Sequence, residues 1–314
     1  MRVIILGFGG REEVVRECQR LEPMIAEHAE IAAMDFTGEA DLSEIDADYA
    51  VVLGGDGSIL RAAHQMGQRQ LPVIAVNLGR LGFLADLSPQ ELPGVLGLLA
   101  EGRLEVVEHL MFWCTVVREG RAIERRLGLN EVAVQTGPPF AILDVDLYVD
   151  SELVTTYSGD GLIVSTPVGS TAHSLSAGGP ILRKDLQAFV ICPISPHTLT
   201  NRPVVDSAER VYEVVVPEPH AGTTIVTDGR VVCQAEPGDR VRVERLDGTS
   251  EHVACADGWL ETSLGQSPVF ITGASAGLYL AQDSGMLATP DRAVEVVAGD
   301  EVELPIAVHN STAK

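Results

Sequence analysis

VVLGGDGSIL, residues 51–60, runs an apolar stretch into three glycines set around one aspartate, Gly54-Gly55-Asp56-Gly57. A plain turn needs one glycine or two. Glycine lets the backbone take φ > 0 and lets a ligand approach it closely. Successive free N–H groups ahead of a helix form an anion-binding concavity. An aspartate there can accept a hydroxyl proton or orient a hydroxyl for attack on phosphorus. Asp56 is therefore the candidate catalytic residue, and Gly54, Gly55, Gly57 and Ser58 are candidate ligand-binding residues. The competing reading is a strand-to-helix turn with an incidental aspartate, and these five residues do not identify an acceptor.

Working outward, the first hundred residues alternate strand and helix. Val3–Leu6, Tyr49–Leu53 and Pro72–Val76 read as strands, and Glu12–Leu21 and Ser58–Met66 as helices. Ser88-Pro-Gln-Glu91 has the serine cap, proline and glutamate of a helix start. This alternation predicts an α/β N-terminal domain with a mostly parallel sheet, whose ligands sit at the carboxyl ends of strands. The turn at Gly54 lies at such an end. From about Val106 the pattern becomes all-β. Strands are expected at Leu110–Arg118, Ala141–Val149, Val211–Val216, Thr223–Val226, Val231–Gln234 and Val241–Val243. Ala141–Val149 reads as alternating, with Ile142, Val145, Leu147 and Val149 as apolar positions between acids. Ala293–Val308 reads as a hairpin turning at Gly299-Asp300. The expected division is an α/β domain over 1–105, a β-rich domain over 106–250 and a strand-like tail over 251–314.

The chain has 314 residues, enough for about two domains. It carries 45 Asp and Glu against 22 Lys and Arg, a formal charge of −23. That excess argues against nucleic-acid or anionic-membrane partners, which need basic stripes. Lys184 and Lys314 are the only lysines and there is no GKS or GKT, so a P-loop lysine cannot grip phosphate. Phosphates would fall to backbone N–H groups, arginines or a divalent metal. Arg80 and Arg202 lie beside candidate segments. The five cysteines are scattered and unpaired by spacing, which predicts free thiols in a reducing compartment. The opening MRVIIL passes at once into glycines, as a first strand does and a signal peptide does not. No histidines show metal-ligand spacing.

Two more stretches carry polar chemistry. In GLNEVAV, Asn130 and Glu131 stand at the lip of an apolar strand, where an amide and a carboxylate can together bond both hydroxyls of a ribose. A surface turn is the alternative. In YSGDGLIVSTPVGSTAHSLSAGGP (157–180), hydroxyls, small residues and Asp160 surround a strand-like Leu162–Val164, as suits a polar ligand lying against backbone. The segment 161–182 has no charged residue, yet its Ser, Thr, Gly and Pro content fails as a membrane helix. GASAG (273–277) fits the G-x-S-x-G hydrolase pattern, with Asp291 and His309 following in triad order. The remaining chain is too short and too β-like to build the sheet such an elbow needs.

GGDGS, NLGRLGFL (77–84), LNEVAV (129–134), GDGLIVSTPVGSTAHSLSAGGP (159–180) and CPISPHTLTNRP (192–203), in that order, resemble the NAD kinase family over roughly residues 1–240. GGDG is shared with lipid kinases and phosphofructokinases; the two longest segments are specific. The resemblance implies transfer of the γ-phosphoryl group of ATP, and in some members polyphosphate, to the 2′-hydroxyl of the adenosine ribose of NAD, giving NADP. It implies an α/β domain meeting an all-β domain with the site between them. It also implies Mg²⁺ or another divalent cation, and a cytoplasmic homodimer or homotetramer. On this resemblance Asp56 orients or deprotonates the hydroxyl, and Asn130 and Glu131 hold the NAD ribose. Asp160, Thr171, Ala172, His173, Ser176 and Asp228 join the dinucleotide site.

The sequence departs from the family pattern at three places. Ser58 replaces a common threonine, and its hydroxyl is kept. His173 stands where tyrosine is frequent; both can stack and hydrogen-bond. After about Glu251 the usual C-terminal segment is not found. The rival readings are a non-catalytic dinucleotide-binding protein on the same scaffold and a lipid kinase sharing only GGDG. The Ser/Gly-rich segment opposes the second, which needs an apolar cleft.

Overall fold

The structure, a computed structural model, describes residues 1–8, 12–79, 82–85, 87–138, 140–197, 202–246, 253–257, 286–289 and 292–295. The N-terminal part contains β1 (Arg2–Gly7), α1 (Glu12–Ala26), β2 (Glu30–Asp35), β3 (Tyr49–Gly54), α2 (Asp56–Met66), β4 (Val73–Asn77), α3 (Leu92–Ala100) and β5 (Glu105–His109). The next stretch supplies β6 (Phe112–Arg118), β7 (Arg121–Gly128), β8 (Glu131–Gln135), β9 (Leu143–Val149), β10 (Glu152–Gly159) and β11 (Gly161–Ser165). A 3-10 turn (Gly169–Thr171) and the short α4 (His173–Ser176) follow. Then come β12 (Ala188–Ile194), β13 (Val204–Ser207), β14 (Tyr212–Val215), β15 (Thr224–Thr227), β16 (Arg230–Gln234), β17 (Arg240–Arg245) and β18 (Val253–Asp257).

The first sheet has the order β2-β1-β3-β4-β18-β5 and is parallel except at the β18–β5 pair. Its strands are apolar on both faces because both faces are covered. Val3, Ile5, Val51 and Leu53 pack with Val14, Leu21 and Ile25 of α1 and Leu96 of α3. The alternate residues Ile4, Leu6, Ala50 and Val52 face Ile59, Ala62 and Ala63 of α2. From β1 the chain crosses to β2 on one side, while β3 and β4 lie on the other. The carboxyl ends of β1 and β3 therefore form the switch point where such sheets bind ligands.

The other two sheets are antiparallel, with orders β10-β9-β14-β17-β6-β7 and β13-β12-β11-β8-β15-β16. They close face to face over a core that includes Val116, Val134, Leu147, Leu162, Ile191 and Val243. In that core Phe189 meets Phe112 and Tyr212 edge to face, with centroids 6.2 and 5.6 Å apart.

The expected two-part fold is present, with several differences in detail. The expected boundaries fall at 105/106 and 250/251, whereas the first sheet includes β5, which straddles the first, and β18, which lies beyond the second. Helix α1 runs past Leu21 to Ala26, through Pro23, because Ile25 adds another buried position to the Leu21 stripe. Helix α2 begins at Asp56, two residues before the serine expected to open it. Ser88–Glu91 forms a turn ahead of α3, with the Glu91 carboxylate accepting from the Ser88 N–H and hydroxyl at 2.8 and 2.5 Å. Ile142 is 53% exposed; the buried face of β9 is Leu143, Val145 and Leu147, whose strict alternation begins one residue later. A strand pair joins Met286–Thr289 to Arg292–Glu295, and the expected turn at Gly299-Asp300 lies outside the described residues.

Candidate active site

The Gly54–Ser58 turn sits at the carboxyl end of β3. Gly54 has φ 145°, and a Cβ there would lie 2.1 Å from the Ser58 hydroxyl, so only glycine fits. Asp56 opens α2 yet does not cap it. Its carboxylate turns to the loop after β4, where Oδ2 accepts from Phe83 N–H at 2.8 Å. Oδ1 accepts from Leu84 and Ala85 N–H at 2.9 and 3.1 Å. Gly82 is small because Asp56 fills its space: a Cβ on Gly82 would meet Oδ1 at 2.1 Å. Three amides thus fix the carboxylate in one orientation and leave Oδ2 a free lone pair.

Asn130 and Glu131, at the start of β8, are held from both edges of the backbone. Leu129, Asn130 and Glu131 donate their N–H groups to Asp228, at 2.8, 2.8 and 3.0 Å. Asp228 returns its own N–H to Glu131 C=O at 3.0 Å. It does so from a left-handed backbone, φ 48°, in the turn between β15 and β16. On the other edge, Thr166 gives its hydroxyl to Leu129 C=O at 2.5 Å and its N–H to Asn130 C=O at 2.8 Å. Gly169 presses so close that a Cβ would lie 2.1 Å from Asn130 C=O.

Backbone demands are met here, but the side chains are not. Asn130 Oδ1 and Glu131 Oε2 are buried without a hydrogen-bond partner. A buried orphan polar atom costs about 1–3 kcal/mol, so a ligand bearing hydroxyls, which both donate and accept, is the natural completion. Burial pushes the Glu131 carboxyl up to about 8, the Asp228 charge adds to the rise, and a hydrogen bond from His173 N–H opposes it.

From the 3-10 turn and α4, Gly169 packs on Asn130 C=O and His173 N–H bonds the Glu131 carboxyl; Thr171 and Ala172 are half-buried, and His173 and Ser176 are exposed. Asp228, expected to touch the dinucleotide, has a side chain with 0% exposure, both oxygens occupied by backbone and by His64. Asp160 stands apart. Ser165 pairs with Glu131 and Gly161 with Gln135, so Asp160 is at the far end of the β8–β11 ladder. Five residues of strand put it roughly 16 Å along. Arg202 is exposed and carries other interactions. Arg80, GASAG, Asp291 and His309 lie outside the described residues.

Helix α2 unites the two halves. Ile59, Ala62 and Ala63 share one core with Leu84, Ala85, Leu129 and Val168. The turn holding Asp56 and the strand holding Glu131 are therefore packed on the same helix. His64 and Thr166 were not foreseen as site residues. The only signal for His64 was its place on the helix opened by Asp56, whereas the histidines draw attention in sequence only through metal-ligand spacing.

Residues 13–104 match the family model for the ATP-NAD kinase N-terminal domain, and residues 129–254 match that for the C-terminal domain. The chain belongs to the NAD kinase family. A relative named NAD kinase in Rhodopirellula baltica is 52% identical over 244 residues, covering 78% of each chain. An NAD kinase of Geotalea daltonii is 39% identical over 227 residues, 72% of this chain and 79% of that one. Among solved structures, an NAD kinase from Archaeoglobus fulgidus in complex with ATP superposes with TM-score 0.64 at 29% identity. It covers 82% of this chain and 93% of its own. Yeast NADH kinase complexed with NADH gives TM-score 0.70 at 23% identity, over 81% and 82%, and speaks for the fold. The C-terminal family match ends within β18, and no helix among the described residues is long and apolar enough to cross a membrane.

Proposed function

We propose that this member of the NAD kinase family transfers the γ-phosphoryl group of ATP, or of polyphosphate, to the 2′-hydroxyl of the adenosine ribose of NAD. The product is NADP. The observation that carries this reading is the pair of buried, unpartnered side-chain oxygens, Asn130 Oδ1 and Glu131 Oε2, at the start of a strand whose backbone is otherwise tied. Vicinal ribose hydroxyls satisfy both. Thr171, Ala172, His173 and Ser176 flank the rest of the dinucleotide.

Asp56 takes the chemical role. Its three amide bonds orient the carboxylate, and the free lone pair of Oδ2 receives the 2′-hydroxyl proton. The ribose oxygen forms its bond to the γ-phosphorus. The bridging P–O bond breaks with its electron pair retained by ADP. The turn Gly54–Ser58 and the α2 N-terminus present N–H groups to the donor phosphates. Positioning and charge neutralisation dominate such a transfer.

A divalent cation such as Mg²⁺ fits as a companion of the donor. Among the described residues no three of His, Cys, Asp and Glu converge to hold one. Donor phosphates and water would be its main ligands, the hard oxygens it prefers. When bound it neutralises charge on the transferring group.

Purified protein with NAD, ATP and Mg²⁺ is expected to form NADP, read by an NADP-specific dehydrogenase. No NADP with ATP, polyphosphate or NADH, while calorimetry still detects NAD binding, would leave the non-catalytic dinucleotide-binding protein instead.

A further inference from the structure

Among the described residues, a polar contact from the α/β part to the sandwich at the site belongs to no step above. His64 Nε2 lies 2.9 Å from Asp228 Oδ2. His64 is in the last turn of α2, eight residues after Asp56, which at 1.5 Å per residue is about 12 Å along one rigid helix. The Asp228 side chain is fully enclosed. It receives the N–H groups of residues 129–131, so whatever sets Asp228 sets the strand that carries Asn130 and Glu131.

The end of α2 is held firmly enough to act as a reference. Next to His64, Gln65 donates to Asp35 Oδ2 at 2.6 Å and to Ala40 C=O at 3.0 Å. The Gln70 amide closes the helix end onto the carbonyls of Ala63 and Gly67, at 2.8 and 2.5 Å. His64 is partly exposed, with 20% of its side chain accessible, while the Asp228 side chain is fully enclosed. Among the described residues the histidine is thus the side chain that brings a donor to an acidic group otherwise served by backbone.

We propose that His64 is a positioning residue for the dinucleotide. Through Asp228 it holds the 129–131 backbone, and with it the ribose-binding side chains, at a fixed distance from Asp56 on the same helix. The inference rests on the kinase reading of this site. It makes α2 the ruler between the group that takes the hydroxyl proton and the groups that hold that hydroxyl's ribose.

The test compares wild type, His64→Ala and His64→Gln, the last keeping an N–H donor at similar reach. Steady-state kinetics are varied in NAD and in ATP, and amide hydrogen exchange is followed at Leu129, Asn130 and Glu131. In His64→Ala the NAD KM should rise about tenfold, as for loss of one hydrogen bond to a charged group. The ATP KM should stay within about twofold, and exchange at those three amides should quicken. His64→Gln should recover most of the NAD KM. An NAD KM within about twofold of wild type in His64→Ala would overturn the proposal. So would equal losses for both substrates without faster exchange at 129–131. A wild-type protein that forms no NADP would instead defeat the kinase reading, and the exchange measurement would still report on the His64 linkage.

Discussion

The Glu131 carboxyl lies beside the Asp228 carboxylate, while Glu131 N–H donates to Asp228 Oδ1 at 3.0 Å. One residue is thus attracted through its backbone and repelled through its side chain by the same neighbour. The arrangement is tolerable because the enclosed Glu131 holds its proton up to about pH 8, through burial first and the Asp228 charge second.

That shift makes a stability prediction. The folded value lies above the ordinary carboxyl value, so the folded state binds more protons than the unfolded one between about 4.5 and 8. The contribution is full below the ordinary value and is lost as pH rises through about 8. Glu131→Gln removes the ionisation and keeps an acceptor for His173 N–H. Without ligand, the variant should melt close to wild type at pH 5 and above it at pH 9, by a margin on the order of a few kcal/mol. Calorimetric melting at both pH values reads it. A variant that is less stable than wild type at pH 9 would contradict the assigned burial.

Asp56 allows a test that leaves the residue itself untouched. A Cβ on Gly82 would collide with Asp56 Oδ1, so Gly82→Ala must push the carboxylate off its amides. Asp56→Asn keeps an acceptor for Leu84 and Ala85 but sets an NH₂ against Phe83 N–H, orphaning a donor at about 1–3 kcal/mol. Both variants should lower kcat by about 10²-fold or more, the range for loss of a general base. NAD affinity should stay within about threefold, since the ribose pair is on another strand. Turnover at the wild-type rate in Asp56→Asn would remove Asp56 from the proton transfer.

Much of this was legible in the chain. Buried parallel strands read as continuous apolar runs, so Val3–Leu6 and Tyr49–Leu53 stand out, and the glycines at 54–57 mark the ligand end of the sheet. Strands with mixed composition did not stand out. Residues 121–128, RAIERRLG, are mostly exposed along an edge, and half of 152–159, ELVTTYSG, is exposed along the other. Such strands are defined by their partners, not by an apolar period. Asn130-Glu131 was visible as a polar pair. What holds it was not, because Asp228, Thr166 and His64 come from a distant turn, a neighbouring strand end and a helix. Only tertiary packing brings those elements together.

The loop after β2 offers a last test, away from the chemistry. Asp35 is buried, which by itself would raise its carboxyl. Hydrogen bonds from Thr37, Gln65 and Ala40 outweigh this and hold the carboxyl well below the usual carboxylate range. Thr37 uses both its N–H and its hydroxyl, at 2.8 and 2.6 Å, and Gly38 N–H adds a bond at 3.0 Å. A depressed folded value means that the stabilisation is present above the ordinary carboxyl range and is lost as pH falls below it. Asp35→Asn should therefore destabilise the protein at pH 7 by on the order of 2 kcal/mol, the difference from wild type shrinking as pH falls below about 4. Denaturant melts across that range measure it. Because Gln65 sits beside His64, the same variant should also raise the NAD KM slightly while leaving kcat near wild type. A difference in melting that is constant from pH 7 to pH 3 would mean that Asp35 acts by packing alone, without the charge that its five donors are arranged to meet.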